Sequence, residues 1–150
     1  MAIRNIIQVG DETLRKKSFE VTAFDEKLCT LLDDMKETVK AANGAGLAAP
    51  QVGILRRVFV VDVEEGFYEF VNPVIVSSSG KQEGKEGCLS VKGKWGEVER
   101  PSRVTVKAFD RFGKPFSITE NDFFARAICH EYDHLDGVLY IDKATLIEND

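Results

Sequence analysis

The sequence predicts an α+β fold built on a mostly antiparallel sheet. Three observations carry that reading: an amphipathic helix pattern near the N-terminus, short β-branched and aromatic runs bounded by turn residues, and a second helical pattern near the C-terminus. The order is helix, strands, helix, without the strand–helix alternation of a parallel sheet. At 150 residues the chain is expected to form one domain over residues 1–150, long enough to bury a full core.

Residues 1–20 read as extended, with a turn near Gly10-Asp11-Glu12. The first helix is expected over about residues 25–42. Phe24, Leu28, Leu31, Leu32, Met35 and Val39 recur there at helical spacing, and Asn43-Gly44 supplies the stop. Residues 58–63 and 70–76 are β-branched and aromatic and read as strands. Residues 104–109 and 116–118 flank Asp110-Arg111-Phe112-Gly113 and predict a hairpin. The second helix is expected to start after Thr119, where Thr119-x-x-Asp122 imitates a capping box, and to stop near Gly137.

Composition narrows the function classes. Hydrophobic residues at 43% and charged ones at 30% exclude disorder. Twenty basic against 25 acidic residues give a net charge of −5, so no phosphate-binding footprint is expected and nucleic acid is not the main partner. No apolar run approaches the roughly 18 residues of a membrane helix. The N-terminus lacks the apolar core of a secretory signal, and Cys29, Cys88 and Cys129 are too few and scattered for a disulfide framework. Both features fit a reducing cytoplasm.

The only histidines are His130 and His134. On a wheel of residues 122–135, one arc carries His130, Phe123, His134, Ala127, Glu131, Phe124, Leu135 and Ile128. The opposite arc, with Arg126, Asp133, Asp122, Cys129, Ala125 and Tyr132, is expected to face solvent. The first arc is a core face that holds two imidazoles and a carboxylate, and a buried carboxylate is costly without a partner. A satisfied core histidine pair is one reading. Residues i and i+4 stack, however, so two ring nitrogens reach one ion. His130-Glu131-x-x-His134 is then two metal ligands and a carboxylate beside a metal-activated water.

A hydrolytic site needs a third ligand. A metzincin would place a histidine where this chain has Tyr140. A thermolysin-like site needs a downstream glutamate on a further helix, and the 16 residues after His134 hold only Glu148. The third ligand is therefore a carboxylate or a thiolate. Cys129 points about 100° away from His130 on the wheel, and Cys29 lies on the first helix. Cys88 sits in Gly84-Lys85-Glu86-Gly87-Cys88-Leu89-Ser90, where it is either a ligand or a strand-edge cysteine beside a turn. The small-residue run from Asn43 to Gly53 is either a helix stop with its loop or a backbone that a substrate approaches closely, with Gln51 offering an amide donor.

Three segments together resemble the peptide deformylase family: Gly44-Ala45-Gly46-Leu47-Ala48-Ala49-Pro50-Gln51, Glu86-Gly87-Cys88-Leu89-Ser90 and His130-Glu131-Tyr132-Asp133-His134. Their order and spacing agree, and the match runs through nearly the whole chain. The resemblance implies antiparallel sheets packed around a central metal-binding helix, and hydrolysis of the N-formyl group of formyl-methionine on new polypeptides. It implies Cys88, His130 and His134 as ligands of one Fe2+, with Zn2+, Ni2+ or Co2+ able to substitute. It implies that the water attacks the formyl carbon with Glu131 as general base and then general acid, and that Gln51 and the Leu89 N–H stabilise the oxyanion. Gly46 is expected to hold the peptide backbone, and Leu89, Ala127 and Ile128 to line the methionine pocket. Glu86 is expected to fix the Cys88 loop by pairing with Arg100, Arg103 or Arg126. The expected partners are N-formylmethionyl peptides, as nascent chains at the ribosome, for a monomer in the bacterial cytoplasm with no membrane or direct nucleic-acid site. The chain departs from the usual pattern at Lys92 and Cys129, and Lys92, Lys94 and Trp95 change the substrate rim. The alternative is a zinc peptidase of another His-Glu-x-x-His family.

Overall fold

The structure, a computed structural model, describes residues 2–149. The first helix, α1, spans Glu26–Ala41. Asp25 caps it by accepting from the Leu28 N–H at 3.1 Å. It ends where expected: Asn43 adopts a left-handed φ of 54°, and the Gly44 N–H returns to the Val39 carbonyl at 3.0 Å.

A five-stranded antiparallel sheet follows. Its strands are β1 (Gly46–Ala48), β2 (Val58–Val63), β3 (Gly66–Ser79) and, after two intervening strands, β6 (Arg103–Phe109) and β7 (Pro115–Asn121). They lie in the order β1-β2-β3-β6-β7. Period-two alternation on β2 divides its side chains between two layers. Val58 and Val60 pack on α1 with Leu32, Met35 and Val39, while Phe59 and Val61 pack with Phe70, Phe124 and Ile128. The second helix, α2 (Asp122–Leu135), covers that other face. A strand buried on both sides reads as a continuous apolar run, as β2 does.

The second sheet is β4 (Gln82–Cys88), β5 (Val91–Arg100) and β8 (Leu146–Asn149), in that order. The fold class is therefore the expected one, with antiparallel sheets and α2 held between them. Among the described residues, no helix is long and apolar enough to cross a membrane.

Three local expectations are corrected. Thr119 is not a cap: it lies in β7, its hydroxyl 2.8 Å from that of Thr105, and Asn121 precedes the helix without a side-chain cap. The strand runs straight into α2 because Asp122 turns the chain with a left-handed φ of 54°. The arc of α2 assigned to solvent is largely buried, with Ala125, Arg126 and Cys129 all enclosed, because sheets flank the helix on both sides. Phe123, placed on the buried arc, is 57% exposed.

Candidate active site

The floor of the site is assembled from three elements. α2 presents His130 and Glu131 side by side and His134 one turn later, and β4 ends in Cys88. The short 3-10 turn Ala49–Val52, which follows β1, presents Gln51. All of these groups except the enclosed His134 open onto one cavity of about 400 Å³, lined among others by Gly46, Gln51, Cys88, Leu89, His130 and Glu131.

One ligand-capable atom from each of Cys88, His130 and His134 lies within 4.8 Å of the other two. Cys88 Sγ is 3.4 Å from His134 Nε2. A tetrahedral ion bound by a thiolate and two imidazoles sets its ligand atoms roughly 3.3–3.6 Å apart, so the group fits a metal ion. His130 Nδ1 lies 2.8 Å from Glu86 Oε1, which leaves its Nε2 for a metal and supplies the outer carboxylate such ligands use. Burial holds the His134 imidazole well below its ordinary pKa, so it stays in the neutral form that ligates.

Glu131 is almost fully buried beside this group, and its Oε1 has no hydrogen-bond partner among the described residues. Its Oε2 lies against Gly46, where a Cβ would come within 2.6 Å of it. Only glycine permits that approach of β1 to the carboxylate. Burial pushes the Glu131 carboxyl up to about 7, with His130 opposing, which puts its proton affinity where a base at neutral pH needs it. Gln51 is held at both ends. Its Oε1 accepts from the Ala48 N–H at 2.9 Å, and its Nε2 donates to Ser90 Oγ at 3.0 Å and to Cys88 Sγ at 3.5 Å.

Behind Cys88 and His130 stands a buried charge network. Arg100 donates two 2.9 Å bonds to Glu86, and Arg126 Nη1 adds a third at 2.6 Å. Arg100 also reaches Asp133 Oδ2 at 2.7 Å, an atom that Lys143 pairs with at 3.0 Å. Burial would raise the Glu86 carboxyl, but Arg100 and His130 outweigh it and hold the group well below the usual carboxylate range. Of the three arginines open in the sequence, Arg100 and Arg126 both pair with Glu86, whereas Arg103 bonds Asn121 instead. Glu86 and Cys88 both lie on β4, so the segment expected as the Cys88 loop is a strand.

Of the three residues expected around the methionine side chain, Leu89 and Ala127 line the cavity and Ile128 does not. It is fully buried in the core with Phe59 and Phe70, on the far side of α2. Sequence reasoning passed over Ser90, the buried partner of Gln51. It also placed Asp133 and Arg126 in solvent, although a buried Glu86 requires cations nearby.

Glu86→Gln tests the network. It leaves the buried Arg126 without its carboxylate and Arg100 with Asp133 alone, so a stability loss of about 3–5 kcal/mol is expected from denaturant unfolding. Metal affinity is expected to fall about 10–100-fold with the outer partner of His130 altered.

A Cys-His-His group with a buried glutamate beside it, at the floor of a substrate-sized cavity, defines a metal-dependent hydrolase. Comparison with known proteins gives its family. The profile of the polypeptide deformylase family matches residues 3–150. The chain is 57% identical to a peptide deformylase of Caldicellulosiruptor bescii over 95% of this chain and 86% of that one. The crystal structure of peptide deformylase from Thermotoga maritima superposes with a TM-score of 0.94 at 40% identity, covering 96% of this chain and 99% of that one. A peptide deformylase from Synechococcus elongatus, solved in complex with actinonin, gives 0.92 at 37% identity over 95% and 79% of the two chains. The chain belongs to the polypeptide deformylase family. It is an enzyme that removes the N-formyl group from the formyl-methionine of newly made polypeptides, and nothing favours the zinc peptidase alternative.

Proposed function

We propose that residues 1–150 act as a single catalytic domain in which Cys88, His130 and His134 hold one ferrous ion and Glu131 moves the protons of deformylation. The observation that carries this reading is the Cys88, His130 and His134 cluster with the unpartnered, buried Glu131 carboxylate next to it. When bound, the ion supplies Lewis-acid polarisation of the formyl oxygen and lowers the pKa of the attacking water. Thiolate and imidazole donors suit iron, zinc, cobalt and nickel, and the family resemblance favours iron.

Glu131 takes the proton of the attacking water and returns it to the departing amine, so that the C–N bond breaks to formate and a free amino terminus. Gln51 and the Leu89 N–H donate to the oxyanion. The long 3.5 Å bond from Gln51 to Cys88 Sγ is the one that the substrate oxygen replaces, while the 3.0 Å bond to Ser90 keeps the amide in place. Gly46 admits the peptide backbone, and Leu89 and Ala127 border the methionine side chain. Glu86 orients His130 and does not touch substrate. The enzyme works as a monomer in the bacterial cytoplasm on nascent chains at the ribosome.

The test is metal content and formyl-Met-Ala-Ser hydrolysis on protein prepared without oxygen, with acetylated and internal peptides as controls. The iron form is expected to be active on the formyl peptide alone and to lose activity in air, because the open iron(II) site and its thiolate are both oxidisable. The nickel form is expected to keep its activity. Zinc outperforming anaerobic iron would overturn the metal assignment.

A further inference from the structure

We propose that Lys85, Lys92 and Lys94 make the rim of the cavity selective for formyl-methionyl chains with acidic side chains among the residues that follow methionine. The inference rests on the reading above, in which the formyl group lies at Cys88, His130, His134 and Glu131.

The charges that line the cavity separate by depth. Arg126 and Glu86 are buried and paired with each other, and Glu131 is buried at the floor. Every exposed charge that lines the cavity is a lysine: Lys85, Lys92 or Lys94. The chain as a whole carries −5, so this is a local reversal of sign and not a generally basic surface. Among the described residues none of the three makes an ion pair. Glu97 is the register partner of Lys85, yet Lys85 Nζ sits 4.3 Å above the Trp95 ring instead. That contact steers the ammonium and leaves its charge in place.

All three lysines stand on one wall. Lys85 is on β4, three residues before Cys88, and Lys92 and Lys94 open β5 after the Leu89-Ser90 turn. Gly44, Ala45, Gly46, Phe123 and Ala127, which also line the cavity, are uncharged. A peptide anchored by its formyl group leaves the cavity past this lining. At about 3.3 Å per extended residue, its second to fourth residues lie roughly 7–13 Å from the formyl group, a range that brackets Lys85, three residues and roughly 10 Å along β4 from Cys88. Exposed ion pairs each change affinity by only about 1.4-fold to 5-fold, so the combined preference expected is about tenfold. Because the lysines are exposed, it is sensitive to salt.

The experiment measures kcat and KM for formyl-Met-Glu-Glu, formyl-Met-Ala-Ser and formyl-Met-Lys-Lys at low salt and at about 0.5 M salt. The metal-loaded enzyme is compared with its Lys92→Glu/Lys94→Glu variant. The expected result is a KM about tenfold lower for the glutamate peptide than for the lysine peptide, with kcat within about twofold. That gap closes in high salt and reverses in the variant. Equal KM values at low salt overturn the rim proposal while leaving the deformylase reading intact, since formyl-Met-Ala-Ser is still cleaved. So does a preference that survives high salt, a measurement that needs no variant to fold. Failure of the unaltered enzyme to cleave any formyl peptide overturns both.

Discussion

Glu131→Gln is expected to lower turnover of formyl-Met-Ala-Ser by about 10²–10⁴ while metal stays bound at its normal content. Glutamine keeps the length and shape of the side chain, so the close packing against Gly46 is preserved. What it loses is the ability to take a proton. The buried oxygen that has no partner becomes part of an amide that neither accepts nor releases the proton of the attacking water. Cys88, His130 and His134 are untouched, so metal content separates this loss from a ligand defect. Because the change acts on proton transfer and not on substrate binding, kcat is expected to fall with KM little altered. Near-normal kcat with full metal content would remove Glu131 from the base role.

The parts of the structure legible in the sequence are those with local signals. α1 has its apolar stripe, its Asp25 cap and its Asn43 stop within one stretch of chain, and β2 has four enclosed residues in a row. The hairpin of β6 and β7 is marked by Asp110 and Gly113 at its turn. The three-stranded sheet lacked any such signal. Gly84, Glu86 and Cys88 alternate along one side of β4, so a missing side chain, a charge and a thiol stand where an apolar alternation would announce a strand. Glu86 is enclosed because Arg100 and Arg126 meet it from other elements, and one of those partners had been assigned to solvent. β8 is exposed along its length and carries no burial pattern.

The site divides in the same way. His130 and His134 were readable because a helix brings i and i+4 together. Cys88 lies 46 residues from His134, and only the fold brings its sulfur to 3.4 Å. Elimination narrowed the choice to a thiolate or carboxylate, and the family resemblance named the residue. Ile128 went astray because a wheel gives direction around one helix and not which of two flanking layers a face meets.

Cys88→Ser is expected to abolish stable metal binding and with it activity, a loss greater than the roughly 10–100-fold that altering an outer partner costs. Serine preserves size but replaces a soft thiolate by a hydroxyl that stays protonated at neutral pH, leaving two imidazoles to hold the ion. The sulfur is held in place by two contacts: it accepts from the Ser90 N–H at 3.5 Å and from Gln51 Nε2 at the same distance. The other two cysteines provide the controls. Cys129 precedes His130 in the chain but stands outside the ligand cluster, and burial pushes its thiol up to about 11, so it stays protonated and inert. Cys29 is half-buried on α1, on the opposite side of the five-stranded sheet. Cys29→Ser and Cys129→Ser are therefore expected to keep full metal content by elemental analysis, with deformylation close to that of the unaltered enzyme. Loss of metal from Cys129→Ser together with retention by Cys88→Ser would reverse the assignment of the third ligand.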